Sequence, residues 1–140
     1  MKDLVHNLLP IKTIDPIVGN NTTEGTGVGV DLQGFEGALM VAHLGASLDT
    51  LSGSIYVTVA FQASDALGSG YANIAAAELL GGLNDVVVDA AAEDEIVIAR
   101  SYVGVQRYVR VLITFTGTHT NGFPISAVVI KGHPRHAPVI

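Results

Sequence analysis

Apolar and polar side chains alternate one for one through residues 107–115. Val109, Val111, Ile113 and Phe115 fall on one face, and Tyr108, Arg110, Leu112 and Thr114 on the other. A period of two carried by β-branched and aromatic residues is a strand pattern. Residues 95–103 alternate as well, and Gly104-Val105-Gln106 separates the two segments. The spacing predicts a hairpin, with Gly104 supplying the positive φ that such turns need. Its outer face would carry Tyr102, Arg107, Tyr108 and Arg110 beside Leu112, a mixture enriched where proteins touch other proteins.

The same pattern recurs along the chain. Residues 38–44 are a continuous apolar run of strand length ended by Gly45, and residues 54–62 alternate with Ile55, Val57, Val59 and Phe61 inward. Val86 to Val88 is a short strand. Residues 125–131 form a last one, with Pro124 at its start, where a missing N–H costs least. One break in the pattern predicts a helix of about two turns over residues 74–80, capped by Asn73 and ended by Gly81-Gly82. Seven or eight short strands with one small helix and no internal repeat predict an all-β antiparallel β-sandwich, a jelly roll first and an immunoglobulin-like arrangement second.

Three segments follow from this reading. Residues 1–24 read as an N-terminal arm, kept extended by Pro10 and Pro16 and too apolar, with Leu4, Leu8, Ile11 and Ile14, to be left loose. Residues 25–131 are the sandwich. Residues 132–140 are a proline-punctuated tail that should not continue a sheet, yet ends in Val139-Ile140 and so should dock.

Composition changes the picture in one respect. Of the 140 residues, 49% are hydrophobic and only 14% are charged, against about 25% charged in an average soluble domain. A surface with so little charge is one that other protein chains can cover. The formal net charge is −6, without a Lys/Arg run, which argues against nucleic acid and anionic membranes as partners. Without cysteine there is neither a disulfide framework nor a thiolate nucleophile. Residues 1–10 make no signal peptide because Asp3, His6 and Asn7 interrupt any apolar core, so the chain is expected to be made and kept inside a cell.

Candidate chemistry is thin. The Gly25-x-Gly27-x-Gly29 run is followed by another strand, not the helix a dinucleotide loop requires, and no P-loop lysine accompanies it. His133 and His136 are the only close histidine pair, but Pro134 lies between them in a tail and no third ligand is near in sequence. Asp89, Glu93, Asp94 and Glu95 lack calcium-loop spacing and read as a solvated turn. Ser101 and Ser126 have no nucleophile elbow around them. Neither a cofactor nor a metal is called for. Arg107 and Arg110 are expected at a subunit contact, one of them stacked on a tyrosine or paired with a carboxylate.

The whole chain resembles the small proteins encoded beside the major capsid gene of tailed bacteriophages. The features that carry this are Met1-Lys-Asp-Leu4, Gly27-Val-Gly-Val-Asp-Leu-Gln-Gly-Phe35, Tyr102-Val-Gly-Val-Gln-Arg-Tyr-Val-Arg-Val111 and Val128-Val-Ile-Lys-Gly-His-Pro-Arg-His-Ala-Pro-Val139. The resemblance implies a capsid cement, or decoration, protein of jelly-roll type. Such a protein sits on the outer shell surface, bridges neighbouring major capsid subunits, and is made in the bacterial host cytoplasm. It implies no catalytic residues. The expected contacts are with the major capsid protein and with a second copy in a homodimer, through Leu4, Leu8, Ile11, Ile14, Tyr102, Arg107, Tyr108, Arg110, His133, His136 and Val139. A sugar-binding β-sandwich at the virion surface is the alternative, weakened by the absence of tryptophan.

One solution property follows from the charge count. Protonating all five histidines takes the formal charge from −6 to −1, which removes most of the repulsion between copies. Turbidity is expected to rise as pH is lowered from 7 towards about 5. A flat trace over that window would show that net charge does not govern solubility here.

Overall fold

A computed structural model describes residues 3–140, whose ten strands form two antiparallel sheets. The strands are β1 (Leu9–Gly19), β2 (Val30–Asp31), β3 (Phe35–Leu44), β4 (Tyr56–Ser64), β5 (Ala72–Asn73), β6 (Leu79–Leu80), β7 (Val86–Val88), β8 (Val97–Tyr102), β9 (Tyr108–Thr116) and β10 (Phe123–Pro134). One sheet has the order β1-β10-β3-β8-β6. The other has the order β2-β9-β4-β5, with β7 pairing on β4 beside β5. Thus β10 slots between β1 and β3 while β9 slots between β2 and β4. Interleaving the last strands between the first in both sheets is the wrapping of a jelly roll.

The core is the layer between the sheets. In the β4–β9 pair, Val57, Val59 and Phe61 stand opposite Phe115, Ile113 and Val111, all inward and buried. Met40, Ala42 and Leu44 of β3 and Phe123, Ile125, Ala127 and Val129 of β10 meet them from the other sheet. Strict alternation is what puts a whole strand's apolar set on one side.

Residues 9–19, expected as part of an arm, are the edge strand β1, paired with β10 from Leu9↔Lys131 to Gly19↔Phe123. Extended chain was the correct inference from Pro10 and Pro16. An edge strand tolerates both, since one side of its ladder needs no donor. A register shift between Lys12 and Ile14 turns Thr13 inward. Its hydroxyl donates to the Val28 carbonyl and the Val28 N–H donates back to the Thr13 carbonyl, both at 2.7 Å. That double bond fastens one sheet to the segment edging the other. The glycine-rich run finds its purpose in the same place. Gly27 N–H donates to the Val111 carbonyl (3.0 Å) and Ile113 N–H to the Gly25 carbonyl (2.7 Å), and a side chain at either glycine would strike the β9 backbone.

The expected hairpin does not form. β8 pairs with β3 and β6, whereas β9 pairs with β2 and β4 in the opposite sheet, so residues 103–107 cross between sheets. Alternation fixes the face a strand buries but not its neighbour. Tyr102, expected outside, is 1% exposed; its phenol oxygen accepts the Gln106 N–H at 2.8 Å and so pins the crossover. Gly104 is needed for close approach instead of positive φ, because an added Cβ would lie 2.5 Å from the Tyr102 ring.

Two smaller expectations also change. The predicted helix over 74–80 shrinks to a single 3-10 turn, Ala76–Glu78, followed by β6. Asn73 does not cap it; it pairs with Gln62 in β5 and its amide donates to Asp85. Asn84 does act on the backbone, accepting from Phe61 N–H (2.8 Å) and donating to the carbonyls of Phe61 and Ile74 (2.8 and 3.0 Å). Its amide replaces the missing strand partner between β7 and β5. At the C-terminus, β10 runs on to Pro134, opposite Phe35, so the tail does extend the sheet by the first residues after Lys131.

The position of Tyr102 gives a direct test. Tyr102→Phe should lower the unfolding free energy by about 1–2 kcal/mol through the stranded Gln106 N–H, and Tyr102→Ala by about 3–5 kcal/mol through the cavity. Denaturant titration reads both; changes within about 0.5 kcal/mol for the pair would place the side chain on an outer face.

Candidate interaction surfaces

Once each strand has buried one face, its other face decides what the molecule presents. On the β9–β4 sheet the outward pairs are Thr58↔Thr114, Ala60↔Leu112 and Gln62↔Arg110, a mixed polar and apolar surface, with half-exposed Val87 beside Thr58. Arg110 stacks over the Tyr71 ring at 4.1 Å and donates to the Gln62 side-chain oxygen at 2.9 Å. Arg107 lies over the half-buried Tyr108 ring at 5.2 Å. It also grips the Asp31 carboxylate with two bonds of 2.9 and 2.7 Å and donates to the Gln33 side-chain oxygen at 2.7 Å. The stacking and the carboxylate pairing expected of these arginines therefore occur within the chain, not between chains. Lys131 completes this corner, its ammonium over the Phe35 ring and donating to the Asp31 carbonyl. Burial pulls the Lys131 ammonium below the ordinary lysine value.

The opposite outer face has a different character. Outward residues are Pro124, Ser126, Val128 and Ile130 on β10, Gly37, Leu39, Val41 and His43 on β3, Val97, Ala99 and Ser101 on β8, and Leu80 on β6. Val97 is 59% exposed, Leu80 54% and Leu39 39%. None of these positions on β10, β3 and β8 holds an acid, an arginine or a lysine. On β1 the Lys12 ammonium is paired with Asp15 at 2.7 Å. Two shallow hollows lie on this face. One, of about 490 Å³, is bordered by Val18, His43, Gly45 and Pro124; the other, of about 210 Å³, by Leu8, Gly37, Leu39 and Ile130.

The sequence-predicted interface residues divide into three groups. Ile14 and Tyr102 are buried, and half-buried Ile11 packs on the same core, so their side chains are spent within the sandwich. Arg107, Tyr108 and Arg110 lie along β9 and the corner before it. Leu4, Leu8, His133 and Val139 gather where the termini meet: Val139 N–H donates to the His6 carbonyl at 3.1 Å, and Leu8 and His133 border a common hollow of about 290 Å³. Leu4, His133 and His136 are exposed. Next to His133 the chain end meets the crossover loop at a further hollow bordered by Gln33, Val105 and Arg135, where Val105 is 93% exposed.

Sequence reasoning missed Leu39, Val41, Val128 and Ile130. The available signal was the unbroken apolar run over residues 38–44, since a strand apolar on both faces is one with both faces to cover. No three His, Asp or Glu side chains come together as a metal site among the described residues, and no helix there is long and apolar enough to cross a membrane. His119 is buried with Nε2 against the Tyr56 and Thr116 carbonyls (3.2 and 3.1 Å), which makes that nitrogen the protonated one; Nδ1 faces no partner. It stands edge-on to Phe115 and borders none of the hollows described above.

The Arg107 bonds hold the Asp31 carboxyl below the usual aspartate range, with the Gln33 N–H adding to the effect. A depressed carboxyl contributes stability that is present above its unfolded value of about 3.9 and lost as pH falls through the lowered folded value. In Arg107→Gln the Asp31 titration, followed by carboxyl carbon NMR, is expected to move up towards the ordinary value, and acid unfolding to become less steep below about pH 4. An unmoved Asp31 titration would show that the guanidinium does not hold the carboxylate.

No protein-family model matches the chain, and no curated protein or solved structure matches it.

Proposed function

We propose that the chain is a structural virion protein, a cement or decoration protein that binds the outer surface of a capsid and bridges neighbouring major capsid subunits, as a homodimer. The observation that carries this reading is that the molecule is finished inside but not outside. Its core is closed, yet apolar side chains remain exposed on one sheet face, at Leu39, Leu80 and Val97, and at the adjoining end, around Leu4, Val5, Val103 and Val105. Unfinished surfaces on a side and on an end suit a protein that must touch more than one neighbour. The end-to-end resemblance to proteins encoded beside phage capsid genes supports the same reading.

A cement binds the assembled shell better than its separated parts and so stabilises the shell by mass action. Each contact needs only modest area, because many bridges act together. A net charge of −6 suits a place outside the shell, away from packaged genome and from anionic membranes. The reading assigns no catalysis and no cofactor. The sugar-binding alternative has less behind it, because Tyr71 and Tyr108 each already carry an arginine on a ring face.

The test uses expanded shells assembled from a tailed-phage major capsid protein, of the class the resemblance implies. Added protein is expected to co-sediment with expanded shells and to raise their heat resistance, with cryo-EM density on the outside. Val105→Asp, at a fully exposed loop position, should reduce occupancy roughly tenfold while leaving the fold unchanged. Failure to bind shells at saturating concentration would overturn the reading.

A further inference from the structure

We infer that the outer face of the β1-β10-β3-β8 sheet, uncharged along β10, β3 and β8 and edged by the Lys12–Asp15 pair of β1, is covered by the same face of a second copy of this chain, related by a twofold axis. The proposal gives a surface to the self-association in the reading above but requires no shell.

Three observations select this occupant. The first is charge. In a twofold contact each residue near the axis meets its own kind, so any net charge there opposes itself. The middle of this face is free of that penalty, because Leu39, Val41, Val128 and Ile130 occupy it. The second is shape. The Val41↔Val128 pair lies between His43↔Ser126 and Leu39↔Ile130 in the register. It therefore forms a low ridge between the two hollows of about 490 and 210 Å³. A twofold operation lays the ridge and hollows of one copy across those of the other.

The third observation is the state of the sheet edges. β1 carries Pro10, Pro16, Lys12 and two register shifts, devices that blunt an edge. The β9 edge is covered by residues 25–27, and β6 is only two residues long. These edges are blunted or short, so the apolar face is the larger surface left for a second copy.

Area sets the strength. Four strands at about 4.8 Å spacing, each showing about seven residues at about 3.4 Å, give a footprint on the order of 450 Å² per copy in projection. Accessible area exceeds projection on a surface of side chains, so the pair falls near the low end of specific interfaces, about 1,200 Å² over both copies. A contact of this small size is expected to be reversible.

Sedimentation equilibrium and light scattering on the purified full chain, without shells, test this. The wild type should be a dimer that dissociates on dilution. The double substitution Val41→Asp, Val128→Asp buries four carboxylates per dimer and should weaken association at least about 100-fold, with the circular dichroism spectrum retained. Thr58→Asp, on the outer face of the other sheet, should leave the dimer intact. Should the double variant misfold, hydroxyl-radical footprinting of the wild type replaces it. Leu39, Val41, Val128 and Ile130 should then become protected between dilute and concentrated samples. A wild type that stays monomeric, a dimer that survives the double variant, or footprints unchanged with concentration would each overturn the proposal. Protection of these residues only when shells are added would reassign the face to the capsid. Loss of shell binding in Val105→Asp with the dimer intact separates the two readings.

Discussion

The structure depends on one layer of interlocking apolar side chains, and on each long strand giving one face to it. Val57, Val59, Phe61, Val109, Val111 and Ile113 from one sheet meet Met40, Leu44, Phe123, Ile125 and Val129 from the other. A register slip of one residue in any of these strands would swap its whole apolar set for its outward set. The antiparallel ladders, the crossings between sheets and the covering of the edges all serve to hold that parity.

Closing the sides of the layer takes specific polar groups, because backbone donors and acceptors at a sheet edge must find partners. Thr13 and Val28 exchange two hydrogen bonds across one side. Asn84 satisfies β4 where no strand reaches it. Tyr102 holds the crossover by its phenol oxygen. Asp49 accepts from Asn121 and Gly122 and so ties the loop after β3 to the loop before β10. With these in place the molecule has little need of surface charge for its fold, and surface charge is what it lacks.

The two outer faces then part company. One mixes Thr, Gln, Tyr and Arg side chains with Leu112 and Val87, and its Arg110 is matched to Gln62 and Tyr71 within the chain. The other holds valine, leucine, isoleucine and proline with no formal charge along its three inner strands. Water covers the first readily and the second poorly, and that difference links the fold to the proposed life among other protein subunits. The reading places function in surfaces, so catalytic geometry is not what it has to explain.

The sequence by itself determined what period and composition encode: all-β character in a sandwich, the inward residues of β4 and β9, and a surface poor in charge. It marked Gly25, Gly27 and Gly104 as special without revealing that close backbone or ring approach is the reason. Tertiary structure alone decided which strands are neighbours. A segment's alternation is the same whether it pairs with the next segment or crosses to the facing sheet, so β8 and β9 looked like a hairpin and Tyr102 like a surface residue. It also decided that Arg107 and Arg110 find their partners in Asp31, Gln62 and Tyr71, far off in sequence. Residues 38–44 and 125–131 each read as apolar strands; only their pairing as adjacent strands merges exposed Leu39 with half-buried Val41, Val128 and Ile130 into one outward apolar face, because adjacency across a ladder is a property of the fold and not of either segment.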